Sequence, residues 1–159
     1  MKKLSLAILT LGLSAVVNAA GYGVIDLEKV VESSQYLKQQ NASLEASIKP
    51  QASKLEQLNK ELATLQKQSQ TQGANLKQIE SQYQAKMTEF TTLQQSVQSR
   101  VQTTIQNTNK TFEARVKQAA EQLRQENSLD LVLNKNAALA LDSKYDLTAK
   151  MIQKVNAIK

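Results

Sequence analysis

The chain contains no cysteine and no histidine. Together these absences exclude a thiolate nucleophile, a disulfide, an imidazole general base and any Cys/His metal site. Proline occurs once, at Pro50, glycine four times, and aromatic residues make up 4% of the 159 residues. So few turn formers and large apolar side chains argue against a large compact core. No GxxxxGK[ST] phosphate loop is present, and the carboxylates are scattered without a convergent group. An enzyme is not expected, and no cofactor or metal is implied.

What remains is dominated by Gln, Lys, Glu, Ala, Leu, Ser and Thr, a long-helix composition with room for one elongated domain. The formal charge is +6. A basic balance can indicate nucleic acid, but the basic residues are spread along helical segments without aromatic stacking partners, so no nucleic-acid partner is expected. The surplus suits acidic partners or an anionic membrane surface, with attraction that weakens as salt rises.

The opening MKKLSLAILTLGLSAVVNAAG has two lysines, an apolar core from Leu4 to about Val17, and small residues after it. This is the secretory signal-peptide pattern, with cleavage expected between Ala19 and Ala20. The apolar run is shorter than the roughly 20 residues of a spanning helix. The expected product is exported and soluble, and without Lys2 and Lys3 it carries 18 basic against 14 acidic residues. The expected organisation is a leader at 1–19 and one domain at 20–159. Within that domain, segments 20–34 and 128–159 form a body and 35–127 form an arm with its tip near 68–75.

Along the arm, Leu44, Ile48, Leu55, Leu58, Leu62 and Leu65 form one apolar stripe, and Ile79, Tyr83, Met87, Phe90, Leu93, Val97, Val101 and Ile105 form another. Steps of three and four place each stripe on one helical face. So narrow a stripe needs a partner helix. The break at QSQTQGAN, with Gly73 for the turn, lets the two helices pack antiparallel. Pro50 is read as a kink or a helix start, and as a candidate flexing point. At Val97, Val101 and Ile105 successive steps of four move the stripe around the helix.

At the ends, Val24, Ile25 and Leu27 form a β-prone run before a helical turn at Glu28–Val31. Leu129, Leu131 and Leu133 alternate with polar or smaller residues, NKNA reads as a turn, and Ala137 to Leu141 as a second strand, giving a predicted hairpin. Asp146 is a predicted N-cap for a closing helix. A lone hairpin is marginal, so the pair calls for a third strand from the N-terminal run or for another subunit.

With these residues in view, the sequence resembles the Skp/OmpH family of periplasmic chaperones. The likeness is carried by GVIDLEKVV, the helical hairpin, and LDLVLNKNAALALDSKYDLTAKMIQKVN. It implies an α+β fold, mostly α, in which long coiled-coil arms stand on a small β-sheet body and assemble as a homotrimer with a β-barrel core. It also implies ATP-independent holding of unfolded outer-membrane proteins in the periplasm. The arginine cluster associated with lipopolysaccharide in some members is not matched, since RVQTTIQNTNK keeps only Arg100 and Lys110. Candidate client contacts are Tyr83, Met87 and Phe90, for which burial within the arm is the competing reading. Lys54, Lys60, Lys67, Lys77 and Lys86 are candidates too, against the reading of a solvated face. The candidate assembly surface comprises Val24, Ile25, Leu27, Leu129, Leu131 and Leu133. A coiled-coil scaffold of the cell envelope is the alternative function.

Overall fold

The structure is a computed structural model that describes residues 21–71 and 75–159. The expected leader, its cleavage point at Ala19 and Ala20, and the Gly73 turn lie outside the described residues. In chain order the elements are β1 (Tyr22–Ile25), α1 (Leu27–Ser33), α2 (Gln35–Gln68), α3 (Leu76–Glu126), β2 (Leu131–Asn134) and α4 (Thr148–Ala157). Single 3₁₀ turns cover Lys135–Ala137 and Ser143–Tyr145.

The helix starts are set by side-chain caps. Asp26 accepts from the Lys29 amide, Ser34 from Leu37 and Asn75 from Gln78. Each cap satisfies a first-turn N–H that has no partner within the helix. Helix α2 runs through Pro50 without ending, so Pro50 is not a helix start. The ring deprives the Ala46 carbonyl of its usual donor inside a continuous helix.

Helices α2 and α3 pack antiparallel, with Glu61 against Lys86 and Lys54 against Glu89. At 1.5 Å per residue they are about 50 Å and about 75 Å long. Leu58 and Leu62 are buried between them. A second buried cluster lies at the base, where Ile25, Val30, Ala119, Leu123, Met151 and Val155 meet. Helix α3 therefore belongs to both the arm and the body.

The sheet has two strands, and they run parallel: Tyr22 faces Leu131 and Val24 faces Leu133. After α3, Ser128 takes φ 50°, a left-handed turn that ends the helix and feeds β2. The strand begins at Leu131, so Leu129 precedes it.

The predicted hairpin is not formed. The Asn134 carboxamide accepts from the Asn136 amide, the chain turns through Lys135–Ala137, and residues 138–142 have no strand partner among the described residues. The third strand that a marginal hairpin calls for is engaged elsewhere: β1 pairs with β2 in parallel along one edge, and on its other edge Leu147 donates its amide to Val24 O at 2.8 Å, in a bridge between Val24 and Asp146. Asp146 does cap α4, accepting from the Thr148 amide at 2.8 Å. It acts from just ahead of Leu147, the residue at the N-cap position.

Candidate functional site

Two surfaces of the molecule could meet another chain: the open face of the sheet and the flanks of the arm. Strand alternation produces the first. Ile25 and Val132 point into the body core, while Tyr22, Leu131 and Leu133 point the other way and are each 41% exposed. Val24 shares that outer face but is covered, and Leu27 packs on the core from α1. Leu129 lies half-buried against Gly21 and Gly23, where a Cβ on Gly23 would approach the Leu129 and Leu147 methyls within 3.0 Å. The six residues of the predicted assembly surface are thus divided between the core and the open face.

Around the open face, Tyr22 stacks on Tyr145 with ring centroids 4.4 Å apart. Lys144 sits 4.8 Å above the Tyr145 ring. Leu139 projects wholly into solvent from the segment expected to form the second strand. A contiguous apolar face of this kind on a small body is a mark of an interaction surface.

On the arm, Tyr83, Met87 and Phe90 are half-buried along α3. Tyr83 and Ile79 line a cleft of about 380 Å³ near the tip, together with Leu65 and Leu76. The candidate lysines divide by partner. Lys54 pairs with Glu89 at 3.3 Å, Lys60 with Glu56 at 2.7 Å, and Lys86 with Glu61 at 2.7 Å and Glu89 at 3.6 Å. Among the described residues Lys67 and Lys77 have no ion-pair partner.

The cross-arm network shapes local acidity. Lys86, with help from Gln57, holds the Glu61 carboxyl below its ordinary range, and Glu61 in turn raises Lys86. At the base, Arg124 and then Gln125 bring Glu121 down to about 2. These groups are partly exposed and lie in ion pairs, so the shifts describe local pairing and not a chemically activated acid or base. Among the described residues no group of three or more acidic side chains could hold a metal ion, and no helix is long and apolar enough to cross a membrane.

Sequence reasoning missed the joint where arm meets body. Ser34 both ends α1 and caps α2, and it is 1% exposed. Asn156 bridges the residues on either side of it, and Arg115 lies 4.0 Å over the Tyr36 ring while donating to Ile158 O at 2.7 Å. The serine after a short helical run was the one available signal. The missed partners come from elements more than forty residues away.

The proximal arm is loosely closed. Between Leu58 and the base, Leu44, Ile48, Val97 and Val101 are only half-buried, Ile105 is 47% exposed, and Gln51 Oε1 is buried without a hydrogen-bond partner. The steps of four at Val97, Val101 and Ile105 signalled this, because they carry the apolar stripe off the line facing α2.

The sequence matches the family model described as outer membrane protein (OmpH-like) over residues 21–155. A solved structure of a candidate outer membrane chaperone (OmpH-like) from Caulobacter crescentus CB15 superposes with a TM-score of 0.72. That similarity covers 87% of this chain and 85% of the other at 21% identity, and it bears on the fold. No curated protein matches the sequence.

Proposed function

The chain belongs to the OmpH-like outer membrane protein family, and on that premise we propose that it is a periplasmic holdase that shelters unfolded outer-membrane proteins without ATP. The observation that carries this reading is the placement of an open apolar sheet face, Tyr22 with Leu131 and Leu133, at the root of an arm about 75 Å long. Joining three copies through that face would bury it and stand three arms around a shared space. The holding itself requires only weak contacts made many times, since linked sites raise avidity without a single strong one.

Export by the expected leader would bring the protein to clients crossing the periplasm. The net positive charge favours acidic clients at range. An anionic membrane surface is a further proposed partner of the same charge.

The test is to dilute a denaturant-unfolded outer-membrane barrel protein with and without the mature chain and follow light scattering. Suppression at a several-fold excess is expected. Undiminished scattering would instead favour a coiled-coil scaffold, which needs no affinity for unfolded chains. Sedimentation equilibrium independently measures the number of subunits, and a trimer is expected.

A further inference from the structure

We propose that the proximal half of the arm, and not its tip, is the principal grip on an unfolded polypeptide, through a trough without net charge that crosses from α2 to α3. This deepens the holdase reading and rests on it.

Three hollows adjoin there. The first, about 540 Å³, lies on α2 over Leu44 and Ile48. The second, about 170 Å³, lies between the helices and shares Leu44 with the first. The third, about 420 Å³, lies on α3 over Val101 and shares Ile105 with the second. Leu44 and Ile105 therefore link the hollows into one path with an apolar floor.

The walls identify the occupant. Asn41, Gln98, Gln102 and Gln106 stand along the path, and the charged residues lining it are Glu45 and Lys49, one of each sign. A carboxamide both donates and accepts. A row of them matches a peptide backbone, which presents an N–H and a C=O at nearly every residue. An extended chain also turns alternate side chains to the same side, as a floor of separated apolar hollows requires. A lipid phosphate or nucleic-acid backbone would need a cluster of cations, whereas this path has Lys49 alone, offset by Glu45.

The distal arm exposes Leu76 at the tip cleft, beside Glu80, but between that cleft and the trough it offers less to an extended chain. Lys54, Lys60 and Lys86 are held in ion pairs, while Leu58 and Leu62 are buried in the helix interface. The proximal half keeps apolar area uncovered, with Ile105 the largest uncovered part of it.

The experiment places a photoreactive benzoylphenylalanine at Ile105 or at Tyr83 in the full mature protein. Each variant is presented with a urea-unfolded outer-membrane barrel protein on dilution, at low and at high salt. Client adducts are expected mainly from position 105 and at both salt concentrations. Ile105→Gln is expected to weaken client binding about three- to tenfold with unchanged helicity, since the side chain is exposed and a glutamine suits a helix. Adducts concentrated at position 83, loss of adducts at high salt, or a cross-link between two copies without client would each overturn the trough. Normal suppression of aggregation with no adduct at position 105 removes the trough alone, whereas absence of any suppression removes the holdase reading with it.

Discussion

Asn156 straddles Ser34. Its Oδ1 accepts from the Gln35 amide at 2.9 Å and its Nδ2 donates to Ser33 O at 3.2 Å, so one side chain of α4 ties the end of α1 to the start of α2. The amide that begins the arm and the carbonyl that ends α1 are thereby satisfied across a junction that no backbone ladder spans.

Replacing this tie by Asn156→Ala leaves both backbone groups without their partner. A loss of about 1–3 kcal/mol in unfolding free energy is expected. The angle between arm and body should also broaden. Distance distributions between spin labels on the arm and on α4 measure this, and an unchanged distribution would show that the arm is oriented by the Arg115–Tyr36 contact or by core packing instead.

Core and open face should respond differently to substitution. Leu123 is fully buried among α1, α3 and α4, and Leu123→Ala is expected to cost about 2–5 kcal/mol through lost burial and a residual cavity. Leu131→Asp falls on the exposed face and is expected to leave the subunit folded by circular dichroism while reducing its mass in sedimentation from assembled to single. A fully assembled Leu131→Asp protein would remove this face from the proposed subunit contact.

The pairing of Glu61 with Lys86 makes part of the arm's stability depend on acid. Because the folded carboxyl titrates below its ordinary value of 4.5, its contribution is complete above that value and is lost as pH falls through the lower, folded-state value. Glu61→Gln lacks this contribution. Its melting temperature should lie below the wild type by no more than a few degrees at pH 7, and the gap should shrink as pH falls below 4.5. A gap that stays constant down to pH 3 would assign the effect to packing.

Pro50 sits inside a continuous α2 beside the buried, unpartnered Gln51 Oε1. Pro50→Ala restores the donor to the Ala46 carbonyl and is expected to stabilise the arm by about 1–3 kcal/mol. A narrower spread of arm shapes in small-angle scattering should accompany this. If scattering is unchanged, Pro50 has no part in flexing.

Much of the arm was readable in advance because its signal is local. Leu55, Leu58 and Leu62 recur at helical spacing, and the same spacing carries Tyr83, Met87 and Phe90 into half-buried positions on α3. Which of those residues would be spent inside the arm was not readable, since that depends on the register between two helices. The lysines illustrate the point. Lys86 and Lys77 look alike in sequence, yet only Lys86 meets an acidic partner, Glu61, from the opposite helix.

The ends reverse the balance. Alternation in LDLVLN correctly signals a strand at Leu131–Asn134, and ALAL carries the same local signal without becoming one. By itself the sequence determined the helical arm, the capping carboxylate of Asp146, and the absence of thiol and imidazole chemistry. These follow from side-chain identity and short-range periodicity. Tertiary structure alone decided that β1 and β2 run parallel, that the Asp146–Leu147 segment takes the other edge of β1, and that Asn156 closes the joint at Ser34. Those choices join residues far apart in the chain, and each turns on which segment best satisfies the same few backbone groups once the core around Leu123 and Met151 has packed.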